Sequence, residues 1–476
     1  MNKEITLRDV FNHIKSSVLR TDHRHDSFAL KYIVESLQSA SREDVVFYKL
    51  RKGEQAWKQF LERYQNSDHG LLIMCGKPLN RDEIDRYIIV KEEDYVYCQS
   101  LLLDLFYPFD PEKVKLVAIT GTNGKTTTTH LSLNIAELLG KKALSIGTMG
   151  VCTVNGTQLE SGLTTPSFVF LRKVLFQYQD KVDVIFIEAS SHGLHQGRLF
   201  GLQFDCAGWT NFTQDHLDYH EDMEEYFRCK ALIFDYLKKS KGAQLFIPSS
   251  EEVLKKKLTA FPFSIAKKLG SRQIINLPSA LMQGFNKKNV ELAFQINEAL
   301  WNKPFNCSFE SLEPPKGRLS QIKIDEKVVF IDFAHTPDAL ANILCEVKER
   351  YNNKPLYVVF GCGGDRDRLK RPKMGKIAGD ICNSSKDHIF VTSDNPRNED
   401  PRGIIEDILK GIETSANVHV IEDRRNAILK ALSLMVPDSV LLVAGKGHED
   451  YQEIKGKKHS FSDFNVVDEF KRGEFL

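Results

Sequence analysis

Lys115-Leu116-Val117-Ala118-Ile119-Thr120-Gly121-Thr122-Asn123-Gly124-Lys125-Thr126-Thr127 is the stretch on which the reading of this chain turns. Its first half is an apolar run without alternation, the pattern of a strand buried on both faces. Its second half is a glycine-rich loop that opens a helical pattern. The glycines let backbone N–H groups turn toward phosphate oxygens without a Cβ clash. The helix N-terminus adds the positive end of its dipole. Lys125 can then reach β- and γ-phosphates, and the Thr126 hydroxyl can bind Mg²⁺. Ile119 stands where the usual Gly-x-x-x-x-Gly-Lys-[Ser/Thr] spacing has its first glycine, so the loop is a shortened variant. A purely structural glycine turn is the alternative. The order strand, loop, Lys-Thr, helix favours phosphate binding.

Outward from this loop, apolar strands alternate with helical patterns. Residues 182–188 form the next clear strand, and the alternation resumes at 328–333, 356–360, 388–392 and 439–444. This predicts an α/β protein with mostly parallel sheets covered by helices. Tyr107-Pro108-Phe109-Asp110-Pro111 and Glu313-Pro314-Pro315-Lys316-Gly317 interrupt regular structure. They suggest three domains: 1–110, 111–315 and 316–476. The first is weakly patterned, with one plausible buried strand at 70–75. Nearly every chemically rich motif follows the carboxyl end of an apolar strand, where open α/β sheets bind ligands.

Bulk properties narrow the function classes. The 476 residues are too many for one core and suggest about two to four domains. A 42% hydrophobic and 27% charged composition is that of a soluble globular protein. The formal net charge of +1 gives no global attraction for nucleic acid or an anionic membrane. The 9 cysteines include no Cys-x-x-Cys pair, so neither a disulfide framework nor a zinc site is expected, and reduced thiols fit the cytoplasm. Residues 1–20 are polar and charged, unlike a signal peptide. The apolar runs, such as 71–75, are too short to span a bilayer.

Beyond the loop, strand 182–188 ends in Glu188-Ala189-Ser190-Ser191-His192. A carboxylate there can complete a magnesium site, though alone it could cap a helix or end a solvated strand. His216 and His220, in Asp215-His216-Leu217-Asp218-Tyr219-His220, would share a face if helical, but no further ligand pattern supports zinc. Lys230, in Phe227-Arg228-Cys229-Lys230, reads by itself as a solvated helix lysine.

Together these pieces resemble the Mur ligase family, and within it the members that add the third residue of the peptidoglycan stem peptide. The resemblance runs from about Val114 onward and rests on seven motifs in the family's order. They are the phosphate loop, Glu188-Ala189-Ser190-Ser191-His192-Gly193-Leu194, Asp215-His216-Leu217-Asp218-Tyr219-His220, Asp332-Phe333-Ala334-His335-Thr336-Pro337-Asp338, Gly361-Cys362-Gly363-Gly364-Asp365-Arg366, Asp394-Asn395-Pro396-Arg397 and Gly445-Lys446-Gly447-His448-Glu449.

The resemblance implies a central P-loop ATPase-like domain, a Rossmann-like C-terminal domain and a divergent N-terminal α/β domain. It implies a cytoplasmic monomer that uses ATP and Mg²⁺ to join UDP-N-acetylmuramoyl-L-alanyl-D-glutamate to meso-diaminopimelate through an acyl phosphate. Thr126, Glu188, His216 and a carbamylated Lys230 would hold magnesium. Gly121 to Thr127, Asn289, Asp332 and His335 would meet ATP, and Lys125 and Arg318 would approach its phosphates. Thr164, Thr165, Ser190, Gln196 and Arg198 would hold the nucleotide-peptide. Arg366, Asp394, Asn395, Pro396, Arg397, Gly445 and Glu449 would meet the incoming amino acid. Diaminopimelate carries a far carboxylate that lysine lacks, and the Arg397 guanidinium is suited to grip it in a fork. The alternative is that Arg397 caps the neighbouring helix.

The first domain departs from the family's pattern. Thr21-Asp22-His23-Arg24 stands where the family carries Thr-x-Asp-Ser-Arg, so His23 replaces the nucleotide-binding serine. A helix-like stretch from 29 to 40 precedes the candidate strand 44–49. A sister ligase for a folate- or cyanophycin-type acid and a degenerate nucleotide-binding scaffold are the competing readings. The second would be expected to lack Lys125, Glu188, His216 or Lys230, and all four are present.

Overall fold

The structure is a computed structural model, described over residues 5–21, 29–50, 52–76, 84–217, 219–239, 244–265, 277–278, 281–282, 284–302 and 308–474. Its central feature is an eight-stranded sheet. Lys115–Thr120 lies inside it, parallel to Val184–Glu188 on one side and Cys206–Trp209 on the other. The unbroken apolar run has the expected cause. Leu116 and Ala118 feed one core with Ile185 and Ile187, while Val117 and Ile119 feed another with Phe186, Leu133 and Leu292. The chain runs from Lys115–Thr120 to one side of the sheet, through Ala143–Gly147, and later crosses to Cys206–Trp209 on the other. The phosphate loop therefore sits at a topological switch point.

A second sheet has six strands in the spatial order Ser320–Ile324, Lys327–Asp332, Val440–Ala444, Leu356–Phe360, His388–Val391 and Asn417–Val420. Only the first pair is antiparallel. The strands expected at 328–333, 356–360, 388–392 and 439–444 are all present, within a residue at each end. The carboxyl ends of both sheets face one shared cleft.

The third sheet has five strands: Val18–Thr21, Tyr87–Val90, Leu71–Cys75, Asp44–Lys49 and Tyr32–Val34. The expectations of strands at 70–75 and 44–49 hold. The helix expected over 29–40 does not form. Tyr32–Val34 instead pairs in parallel with Asp44–Val46, and a short 3₁₀ turn follows at Leu37–Ser39. The side chains alternate, Tyr32 exposed and Ile33 fully buried, which is the two-residue period of a strand. The Ile33 N–H also donates to the Tyr107 hydroxyl at 3.1 Å. Asp22, His23 and Arg24 lie outside the described residues. The eight described cysteines are free thiols, and no helix among the described residues is long and apolar enough to cross a membrane.

Candidate active site

The phosphate loop is shaped from behind. Gly121 (φ +141°) packs against Thr210, and a Cβ there would overlap the Thr210 hydroxyl. Gly124 (φ +79°) leads into the helix Lys125–Leu138, and a Cβ at that point would lie 2.5 Å from Asn289 Oδ1. Asn123 N–H donates to Asn211 Oδ1 at 2.9 Å. Lys125 Nζ donates to the Gly121 and Thr122 carbonyls at 3.0 and 2.8 Å.

Glu188 ends its strand beside this loop, fully buried rather than solvated. It accepts from the Thr126 hydroxyl at 3.0 Å, and from the Thr148 N–H and hydroxyl at 3.0 and 3.1 Å. Burial pushes its pKa up, against the pull of Lys125. Lys230 is not a solvated lysine. It is 1% exposed on the helix Met223–Ala231, and its Nζ donates to the Gly121 carbonyl at 2.7 Å. Burial and the nearby Lys125 charge drive its pKa far below the ordinary range.

His216 and His220 do not share a helical face. They lie in a turn in which His216 has φ +56°. His216 lines the cleft, 3.3 Å from Asp215, while His220 is buried with Nε2 3.0 Å from the Ser191 hydroxyl. Desolvation lowers the His216 pKa to about 3, so its imidazole is neutral.

The opposite wall comes from the C-terminal sheet. Arg318 Nη2 reaches the Thr126 hydroxyl at 3.3 Å. Asn123 Nδ2 donates to Asp338 at 3.0 Å, and the Thr336 hydroxyl donates to Asn123 Oδ1 at 3.3 Å. Two adjoining cavities result. The first, about 260 Å³, joins Lys125, Thr126, Thr164 and His216 to Arg366, Asp394, Asn395, Arg397, Gly445 and Glu449. The second, about 460 Å³, runs from Asn123, Gly124 and Thr127 past Asn289 to Asp332 and His335.

Other expected residues stand differently. Thr165 is buried, donating to the Glu188 carbonyl at 2.7 Å and accepting from the Ser190 N–H at 2.8 Å. The Ser190 hydroxyl accepts from the Gly193 N–H. Arg198 donates to Gln196 Oε1 at 3.0 Å and to the Thr165 carbonyl at 2.6 Å. Neither Arg198 nor Gln196 lines the two cavities, and Pro396 shapes its turn through its backbone. Asp332 accepts from the Leu319 and Ala334 N–H groups at 2.6 and 2.7 Å, and burial raises its pKa to about 6.

Similarity to known proteins bears on this arrangement. Residues 119–296 match the Mur ligase middle domain, and residues 317–447 match the Mur ligase glutamate ligase domain. A UDP-N-acetylmuramoyl-L-alanyl-D-glutamate--2,6-diaminopimelate ligase from Leptospira borgpetersenii is 32% identical over 495 residues, covering 96% of both chains. One of the same name from Prochlorococcus marinus is 34% identical over 454 residues, covering 86% of this chain and 88% of the other. The chain belongs to the Mur ligase family. A solved structure of a ligase of that name superposes with a TM-score of 0.57 at 27% identity over the full length of both chains. MurF from Acinetobacter baumannii, at 15% identity, shares the fold with a TM-score of 0.63 over 99% of each chain.

Within this Mur ligase, several buried polar residues of the site were not singled out from the sequence. Lys446, fully buried, donates to Glu449 at 3.0 Å and Asn395 at 3.1 Å, and lies 3.5 Å from Asp394. Asn395 Nδ2 donates to Glu449 at 2.9 Å. Burial alone would raise the Asp394 pKa, but Lys446 and Arg424 hold it below its ordinary value. Lys370, Phe333 and Asp215 also line the first cavity. Arg397 does not cap the helix Pro401–Leu409, whose N-cap is Asp400. Its Nη1 donates to the Gly364 carbonyl at 2.7 Å, and Nε lies 3.3 Å from Glu453.

Proposed function

We propose that this chain is an ATP-dependent ligase that joins UDP-N-acetylmuramoyl-L-alanyl-D-glutamate to meso-diaminopimelate during peptidoglycan precursor synthesis. The observation that carries the reading is the first cavity. In one enclosure it holds a phosphate loop and, opposite, a guanidinium–carboxylate–amide cluster suited to an amino acid. Both relatives above carry names with these substrates over nearly their whole length.

ATP fits with its triphosphate on residues 121–127 and its nucleoside in the second cavity beside Asn289 and His335. The free carboxylate of the nucleotide-peptide attacks the γ-phosphorus in line, forming an acyl phosphate and releasing ADP. The diaminopimelate amine then attacks the acyl carbon, and phosphate leaves. Lys125, freed from its carbonyl contacts, and Arg318 supply fixed positive charge where the oxyanions develop. A closed cleft keeps water from the acyl phosphate.

Magnesium suits the donors present. The Thr126 hydroxyl and the Glu188 carboxylate already converge, and the His216 imidazole is neutral. Thr126, Glu188, His216 and carbamylated Lys230 would hold it, and it would neutralise phosphate charge. Carbamylation needs an unprotonated amine. Burial supplies one at Lys230, where attack on CO₂ forms the N–C bond and releases a proton.

Thr164, Gln196 and Arg198 face the nucleotide-peptide in this reading. Thr165 and Ser190 act by fixing the turn that presents it. Residues 1–110, 111–315 and 316–476 serve as the three domains, each with its own sheet. In this reading the chain works as a cytoplasmic monomer, and the free thiols among the described residues suit that reducing compartment.

The test is ADP release by the purified protein with ATP and Mg²⁺, omitting each acceptor in turn. Release that needs both the nucleotide-dipeptide and diaminopimelate supports the reading. No release with any combination overturns it.

A further inference from the structure

A second cluster of ligand-type side chains lies outside the cleft. On the helix Met223–Ala231, Glu225 and Cys229 are one turn apart and share a face. His195, the last residue of the helix Ser191–His195, meets them from across the groove. One ligand atom from each of the three lies within 4.8 Å of the other two. We propose that His195, Glu225 and Cys229 bind a thiophilic divalent cation such as zinc, separately from the phosphate-loop site.

The donor set carries this assignment. Thiolate, imidazole and carboxylate are the three protein ligands of zinc, whereas magnesium and calcium take oxygen. Neighbouring ligands of a tetrahedral zinc lie about 3.5 Å apart, so the three atoms need close by only about 1 Å. His195 is exposed on the solvent side, while Cys229 is buried beneath it. The shell around the ligands is also in place. The Tyr219 hydroxyl lies 2.9 Å from His195 Nδ1, so ligation through Nε2 keeps the ring oriented. Glu225 Oε2 accepts the Glu221 N–H at 2.5 Å, which leaves Oε1 to ligate. With one side open to solvent, water would complete the coordination.

Position gives the site a consequence. Cys229 directly precedes Lys230, and His195 directly precedes Gln196. An ion here ties the helix that carries Lys230 to the turn that carries Gln196 and Arg198.

The experiment is a titration of the metal-free full chain with Co²⁺, followed by absorption. A cysteine thiolate on cobalt gives a near-ultraviolet charge-transfer band that oxygen and histidine ligands do not. The expected result is such a band, saturating at one equivalent, displaced by Zn²⁺ and untouched by excess Mg²⁺. Cys229→Ser abolishes it, and Cys345→Ser, at the exposed thiol among the described residues, leaves it intact. His195→Ala, at an exposed position that spares the core, weakens cobalt binding at least about tenfold. No band in the wild type, a full band in Cys229→Ser, or loss of the band in Cys345→Ser overturns the proposal. Should Cys229→Ser fail to fold, unchanged cobalt affinity in His195→Ala overturns it.

Discussion

Lys230 Nζ lies 2.7 Å from the Gly121 carbonyl oxygen, so an amine that is 1% exposed is tied to the first residue of the phosphate loop. Burial and the Lys125 charge outweigh the pull of the Asp215 carboxylate on this amine, and the group answers by losing its proton. Lys230→Ala is expected to lower kcat about 10²–10³-fold, the scale of removing one group that stabilises developing charge. ADP release at ambient CO₂ is the measurement. Wild-type turnover in the variant would remove Lys230 from the mechanism.

Arg397 is held by the Gly364 carbonyl and Glu453 with its side chain still open to the first cavity. A charged hydrogen bond to the far carboxylate of diaminopimelate is worth about 1.5–3 kcal/mol. Arg397→Ala should therefore cut the preference for diaminopimelate over L-lysine, as a ratio of kcat/KM values, by about tenfold to a hundredfold. Arg397→Lys should not restore it, because an ammonium lacks the fork. An unchanged ratio would place the selectivity elsewhere.

Gly317 and Gly447 stand back to back just before Arg318. Gly317 has φ +76°, and a Cβ on Gly447 would lie 2.7 Å from the Gly317 carbonyl oxygen. An added methyl must push backbone against backbone, costing about 1–3 kcal/mol. Gly317→Ala should lower the thermal midpoint and also kcat, since Arg318 loses its register against Thr126. A variant that melts and turns over like the wild type would contradict this packing.

His69 links pH to stability in the N-terminal sheet. Burial, helped by Arg86, lowers its pKa to about 4. Well above about pH 6.5 the imidazole is neutral whether the chain is folded or not, and it imposes no penalty. As pH falls toward 4, the unfolded chain takes up a proton that the folded one refuses, so stability drops across that window. His69→Gln should flatten the decline in the urea midpoint between pH 7 and pH 5. Parallel declines in the two proteins would show that His69 stays outside the linkage.

Much of this is legible in the sequence alone, and the reason is local. The strand Lys115–Thr120 and its loop are specified by contiguous residues, so apolar run, glycines and helix start read directly. What escaped depends on distant partners. Tyr32–Val34 is three residues long and becomes a strand only beside Asp44–Val46. His216 and His220 have helical spacing, yet the φ of +56° at His216 breaks that geometry. Lys446 stands in a quoted motif beside Glu449, and its role emerges only when Asp394 and Asn395 are brought to it from another strand end. Thr165 reads as a ligand-facing hydroxyl, and only the fold shows it turned toward the Glu188 backbone.

One cleft joins, in the proposed reaction, a γ-phosphoryl donor, a nucleotide-peptide carboxylate and the amine of diaminopimelate. Mass analysis of the nucleotide product tests it most directly, with ATP, Mg²⁺, UDP-N-acetylmuramoyl-L-alanyl-D-glutamate and equal meso-diaminopimelate and L-lysine. The expected result is one new species, heavier than the nucleotide-dipeptide by diaminopimelate less water, formed with one ADP per bond. A lysine adduct in comparable amount, or ATP consumed with no adduct, would contradict it.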